Sequence, residues 1–254
     1  LVIKGCVLDP PQLVARSKDL TNHLIYLQPN NRMTFDISNV YSAVPSHINS
    51  IPLIIAPESL ESQVRDIFLP RFLKVANDID LIFNYPELRF LSNFHYNTLK
   101  NEVFNYIRKS GVPSFIIFFC SEKNQQRYDS IKQLLIASLG IPSQFILADS
   151  IFNRRMGVDD LLINIAFQIT AKTGGIPYYV PLPLRKTLVI GIAPYRNETE
   201  NNSKTSICLS ASIDQTCARF YSDTFTLDGN ECLPENKITR FVKNAKEKFK
   251  DMVR

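Results

Sequence analysis

Apolar residues in the middle of this chain alternate between two spacings. Leu53-Ile54-Ile55-Ala56 is a short continuous apolar run and predicts a buried strand. From Glu58 to Asn77 the period becomes helical, with Val64, Ile67, Phe68 and Phe72 on one side and Pro70 as a kink or break. Asp80 to Phe83 reads as a second strand, and Asn97 to Ser110 as a helix closed by Gly111. Val112 to Cys120 is the strongest strand signal in the chain. Arg127 to Leu139 reads as a helix stopped by Gly140, Gln144 to Leu147 as a fourth strand, and Val158 to Thr173 as a helix ended by Gly174-Gly175. Strands alternating with long helices imply βαβ units and a parallel sheet covered on both faces. Ligands of such sheets bind at the carboxyl ends of the strands. The Ser121–Arg127 loop follows the strongest strand at such an end.

The flanks read differently. Residues 1–50 hold short extended pieces at Val2-Ile3 and Cys6-Val7-Leu8 and a turn at Asp9-Pro10-Pro11. They are expected to form an irregular linker lying over a domain at 51–180. From residue 187, Thr187–Ala193, Thr205–Ser212 and Cys217–Leu227 read as consecutive strands, followed by a basic helix over Asn236–Val253. Three strands and one helix make about half of an α/β domain, so 187–254 is expected to be the first part of a second domain. Together with the start at Leu1, this suggests a piece of a longer protein.

Composition narrows the class without naming a function. The 254 residues are 45% hydrophobic and 21% charged, which describes a globular chain. A net charge of +5 fits nucleic-acid binding and many other roles. The five cysteines include no CxxC pair, and their odd number points to free thiols in a reducing compartment. His23, His47 and His95 are scattered, which argues against a histidine metal site. No apolar run is long enough to span a bilayer and no signal peptide is visible, so the expected location is cytoplasmic or nuclear. The sequons at Asn197 and Asn201 then carry no meaning.

The chemistry concentrates in five residues. Tyr128 and Lys132 lie one helical turn apart, and Gln168 and Lys172 repeat that spacing on a second helix. Gln144 follows the first helix, just after the Gly140-Ile141-Pro142 break. Each residue alone is most simply an amphipathic helix edge or a lysine complementing a helix C-terminus. Together, two ammonium groups, two amides and an aromatic ring suit a terminal phosphate with a flat base beside it. Such a ligand is the 5′ end of a single-stranded nucleic acid.

The order Tyr-x3-Lys, Gln, then Gln-x3-Lys-x-Gly-Gly resembles the MID domain of Argonaute and Piwi proteins. Phe115-Ile116-Ile117-Phe118-Phe119 resembles the strand before the family's nucleotide-specificity loop, and Gly5–Pro11 its preceding linker. Leu188-Val189-Ile190-Gly191-Ile192 resembles the first strand of the RNase H-like PIWI domain, and Gln168 is similar to the Piwi clade. The resemblance implies an α/β fold: a Rossmann-like MID domain with a parallel sheet, then the first strands and helix of PIWI. It implies a small guide RNA as partner, a target RNA paired to it, and other silencing proteins. It assigns Tyr128, Lys132, Gln144, Gln168 and Lys172 to the RNA 5′-phosphate, with Mg²⁺ at that phosphate.

Active PIWI domains carry Gly-Ile-Asp-x-Tyr-His-Asp at the end of that first strand, where the Asp ligates catalytic metal. Here the segment is Gly191-Ile192-Ala193-Pro194-Tyr195-Arg196-Asn197. Alanine cannot ligate a metal ion, so the resemblance implies a chain that binds a guide without slicing. Glu231 is a candidate remnant of a catalytic carboxylate or an ordinary loop acid. Two other readings stand beside this one. One is a guide-dependent RNA endonuclease whose remaining catalytic residues lie outside this sequence. The other is a Rossmann-like nucleotide-cofactor enzyme, against which no GxGxxG or P-loop follows any strand and glycines number only 8.

Overall fold

In the computed structural model, residues 13–17, 24–27, 40–153, 157–179, 188–199, 202–212, 220–228 and 233–250 are described. The expected pieces at Val2-Ile3 and Cys6–Leu8, the Gly5–Pro11 segment and Glu231 lie outside them. The chain divides into two compact units, one containing Val14–Tyr178 and the other running from Tyr179 onward.

The first unit opens with four short strands where an irregular linker was expected: β1 (Leu13–Ser17), β2 (Leu24–Leu27), β3 (Val40–Tyr41) and β4 (Ser46–Ile48). β1 lies between β2 and β3, and its Ala15 is fully buried in the main core. Then follow β5 (Leu53–Pro57), α1 (Leu69–Asp78), β6 (Leu81–Phe83), β7 (Glu87–Leu91), α2 (Tyr96–Ser110), β8 (Ile116–Cys120), α3 (Gln125–Lys132), β9 (Ser143–Leu147), α4 (Ala148–Phe152) and α5 (Val158–Lys172). The central sheet has the order β7-β5-β8-β9, and every pairing in it is parallel. β6 does not join it. It pairs in parallel with β4 in a separate two-stranded sheet, and β7 takes the place in the main sheet that was expected for Asp80–Phe83.

Period-two alternation splits this sheet between two cores. Ile54, Ala56, Ile117, Phe119 and Ile146 face α1 and α5, where Phe68, Phe72, Leu162, Ile165 and Ala166 are buried with them. Leu53, Ile55, Ile116 and Phe118 face α2 and α3, against Leu99, Val103, Ile131 and Leu135. The helix expected over Glu58–Asn77 is a 3₁₀ turn, a π-helical stretch at Gln63–Phe68 and then α1, with Pro70 in its first turn. A proline lacks the N–H and crowds the preceding turn, so a wide turn before it relieves the clash. α3 likewise widens into a π-helical stretch at Gln133–Ser138. Gly140, at φ +65°, then turns the chain into β9.

The second unit is an antiparallel ladder of β10 (Val189–Thr199), β11 (Asn202–Ser212) and β12 (Tyr221–Asp228), followed by α6 (Glu235–Lys248). Phe241, Ala245 and Phe249 pack on Ile207, Leu209, Ala211 and Leu227, so α6 covers one face of the ladder. β10 is an edge strand with Val189, Ile190 and Ile192 exposed.

Gly175 holds the end of α5 against the β3–β4 segment. Its N–H donates to the Thr170 carbonyl at 2.9 Å, and the next residue, Ile176, pairs with Val44. A Cβ here would meet Thr170 Cγ2 at 2.6 Å and the Val44 carbonyl oxygen at 2.9 Å. Gly175→Ala is therefore expected to destabilise the chain by about 1–3 kcal/mol in urea unfolding, as overpacking does. An unchanged midpoint would show that this approach is looser than described.

Candidate nucleic-acid interface

The two cores meet at β9, the edge strand of the central sheet, and so do the site residues. Lys132 is the last residue of α3, on one face of the sheet, and Lys172 is the last residue of α5, on the other. Lys172 there complements the partial negative charge of the α5 C-terminus, whereas beyond Lys132 the helix runs on as the π-helical stretch Gln133–Ser138. Both side chains bend toward the first residue of β9. Lys132 Nζ donates to the Ser143 carbonyl oxygen at 2.7 Å and to Ser143 Oγ at 2.9 Å. Lys172 Nζ donates to the same carbonyl at 3.0 Å and to Gln144 Oε1 at 2.6 Å. Among the described residues neither ammonium has a carboxylate partner.

This arrangement is electrostatically tense. Burial, and then the positive charge of Lys172, push the Lys132 ammonium down from 10.5 to about 8. Partial burial lowers Lys172 as well, although its side chain reaches the surface. An anion placed against both groups would relieve the repulsion and raise both values.

The aromatic part stands next to the cations. Phe145 stacks on Phe118 with ring centroids 4.9 Å apart, and Tyr128 meets the Phe145 ring edge-on, also at 4.9 Å. Lys132 Nζ lies 5.6 Å from the Tyr128 centroid and 5.5 Å from that of Phe145, within cation–π range of both. Beyond the rings, at the carboxyl ends of β8 and β9, is a cavity of about 450 Å³. Cys120, Ile146 and Leu147 give it an apolar floor, and Glu122 to Gln125 with Arg127 give it a polar wall. The Cys120 thiol is pushed up by burial, an effect that Arg127 opposes and Glu122 adds to. The helix bordering this wall begins at Gln125, two residues earlier than its apolar period implied. Its Asn124 cap accepts the Arg127 N–H at 2.9 Å, so that N–H is not free for an anion.

Four of the five residues singled out in the sequence come together: Tyr128, Lys132, Gln144 and Lys172. Gln168 is exposed one turn before Lys172 and makes no hydrogen bond with the other four. Ser143 and Phe145 were not singled out. Ser143 falls between the Gly140-Ile141-Pro142 break and the strand expected from Gln144, and Phe145 lies inside that strand. Their shared face of β9, two residues apart, was the available signal. Mg²⁺ does not fit these side chains by themselves. Two ammonium groups flank the spot, and its neutral side-chain oxygens, Gln144 Oε1 and Ser143 Oγ, already accept from Lys172 and Lys132.

In the second unit, Ala193 lies in β10 opposite Cys208 of β11, with its side chain exposed. Tyr195, Arg196 and Asn197 continue the same strand. No helix among the described residues is long and apolar enough to cross a membrane.

Comparison with known proteins gives one family. Residues 115–254, more than half of the chain, match the Piwi domain. The Piwi-like protein Ago3 of Bombyx mori is 24% identical over 72% of this chain and 20% of its own length. The Piwi-like protein Siwi of the same species is 23% identical over 97% of this chain and 27% of its own. In shape, the chain superposes on the crystal structure of Drosophila Piwi with a TM-score of 0.70 at 16% identity, over 97% of this chain and 32% of that one. It superposes on Kluyveromyces polysporus Argonaute, crystallised with a guide RNA, with a TM-score of 0.65 at 16% identity, over 95% of this chain and 30% of that one. The chain thus spans between about a fifth and a third of the length of these relatives. With the Piwi domain match over 115–254 on a parallel α/β sheet, the chain belongs to the Argonaute/Piwi family.

Proposed function

We propose that the first unit binds the 5′-phosphorylated end of a small single-stranded guide RNA. The observation that carries this reading is the convergence of Lys132 and Lys172 on one carbonyl of an edge strand, with no carboxylate among the described residues to neutralise them. Two half-desolvated cations held 2.7 and 3.0 Å from a single oxygen are poorly compensated by it, and a phosphate dianion compensates them. Gln144 orients Lys172. Tyr128 and Phe145 supply the aromatic surface for the first base, and the cavity beyond them receives its edge. Such stacking contributes about 1–3 kcal/mol per base. A Mg²⁺ ion at this phosphate would take its ligands from the phosphate oxygens and from groups outside these five residues. The target RNA would be recognised by pairing with the guide, and silencing would proceed by recruitment of other proteins.

The second part of the proposal is that this chain does not slice. Ala193 stands where the family's first metal-binding carboxylate is expected, and Pro194, Tyr195, Arg196 and Asn197 offer no acid in its place. Two-metal phosphodiester cleavage relies on carboxylates to hold its ions.

The direct test is a titration at fixed salt with two RNAs that differ only in a 5′-phosphate or 5′-hydroxyl. The phosphorylated RNA is expected to bind more tightly, and Lys132→Ala is expected to remove about 1.5–3 kcal/mol of that preference, as for a charge-assisted contact. Lys246→Ala, on the exposed face of α6, should leave it intact. Equal affinity for the two RNAs defeats the reading.

The same preference is expected to depend on pH with a definite sign. The protonated Lys132 is the binding form, and in the free protein it loses its proton near pH 8 rather than 10.5. The 5′-phosphate stays dianionic above pH 7. Affinity should therefore hold up to about pH 7 and fall by about tenfold by pH 9, with proton uptake on binding in that window. Lys132→Ala should flatten the profile.

Guide-loaded protein incubated with a matched target and Mg²⁺ or Mn²⁺ is expected to leave the target intact. Guide-dependent scission at a single phosphodiester would refute the non-slicing assignment. Since Arg196 and Asn197 also depart from the active pattern, Ala193→Asp alone is not expected to create cleavage.

A further inference from the structure

The loop that supplies the cavity's polar wall through Glu122–Gln125, residues 121–126, exposes its side chains, and one residue ties it down. Arg127 is only 15% exposed at its side chain. Its Nη1 donates to the Phe94 carbonyl oxygen at 3.2 Å, and its guanidinium lies 5.8 Å from the centroid of the Phe94 ring. Its Nη2 is 3.9 Å from Glu122 Oε1, near the start of the loop, and its backbone N–H bonds Asn124 Oδ1 in the middle. One residue thus connects two points of the wall to the separate loop between β7 and α2. The neighbouring hydrogen bonds do not do this. Gln125 bonds Asp129, and the Gln126 carbonyl accepts from Ser130, both within α3.

The two walls of the cavity differ in what they can read. Stacking on Tyr128 and Phe145 tolerates any base, because every base has a π-face. Discrimination between bases requires donors and acceptors held at fixed positions against the base edge. Those lie on the 121–126 wall. We propose that Arg127 is a positioning residue for first-base selection, holding the Ser121–Gln126 loop against Phe94 so that its polar groups meet the base edge in one geometry. This rests on the guide 5′-end reading and adds to it which residue makes the pocket selective. The phosphate contacts are separate from it. Lys132 and Lys172 both donate to Ser143, Lys172 also to Gln144, and Arg127 takes part in none of these bonds.

Lysine cannot replace this arginine. A guanidinium bonds a carbonyl, lies over a ring and faces a carboxylate at once, whereas an ammonium is a single point charge. Arg127→Lys is therefore expected to behave as Arg127→Ala does, while keeping the charge and most of the stem packing.

The test uses the full chain, wild type and both variants, in competition binding with four 5′-monophosphorylated oligoribonucleotides that differ only in the first base. A 5′-hydroxyl version of the best binder is included. The wild type is expected to separate the best from the worst first base by about fivefold or more. Both variants should bring that ratio toward one while the phosphate-to-hydroxyl ratio stays at the wild-type value. Should Arg127→Ala not fold, Arg127→Lys carries the comparison. A wild-type base ratio near one overturns the proposal, as does a variant that keeps the wild-type ratio. Variants that lose both ratios together also overturn it, since Arg127 would then be a general support of the unit. A wild type that prefers a base but not a phosphate defeats the phosphate reading instead, and Arg127's role is then decided by the base ratio alone.

Discussion

The Ser143 carbonyl, shared by two ammonium groups, is the constraint on which the site depends. An edge strand presents unpaired backbone groups, and a protein must cover, charge or distort them. Here the edge at the start of β9 is met by a lysine from each face of the sheet. This joins the C-terminal ends of α3 and α5 around the edge, and with them the two cores that the sheet separates. The cost is the desolvation of the Lys132 ammonium and then its repulsion by Lys172, both visible in its depressed value. With no carboxylate partner for the pair among the described residues, positive charge is concentrated at one spot on an otherwise mildly basic chain.

Lys132 also joins two kinds of recognition. Its ammonium touches the carbonyl on one side and lies within 5.6 Å of two ring centroids on the other. A cationic contact and an aromatic surface are therefore adjacent. Farther along β8 and β9 the cavity offers an apolar floor and a polar wall. Charge, ring and wall thus follow one another along the edge strand, in the order in which the end of a nucleic-acid strand presents phosphate, base face and base edge.

The parts of the architecture that obey strong local rules were legible in the chain. Uninterrupted apolar runs marked β5 and β8, because a parallel strand buried on both faces has no polar side. Glycines followed the ends of α2, of the π-helical stretch after α3 and of α5, where the helical period stopped. The strands that escaped notice are those that did not need that pattern. β7 is an edge strand with no fully buried residue, and its Glu87 and Arg89 disguise it. β6 showed the right pattern in the wrong sheet, since pairing with β4 depends on a partner about 35 residues earlier that sequence alone does not reveal. The π-helical widenings at Gln63–Phe68 and Gln133–Ser138 are likewise answers to packing.

The sequence by itself determined the two i, i+4 pairs, the parallel α/β class and the alanine at position 193, because these follow from spacing and identity alone. Tertiary structure decided what the pairs do. It turned Lys132 and Lys172 onto Ser143, a residue with nothing distinctive in the sequence, and left Gln168 exposed beside them. It made Phe145 a wall of the site and Arg127 the tether of its loop. A helix period fixes which residues share a face, but the point at which two faces converge is set by how the helices cross the sheet edge, and only the packed chain fixes that.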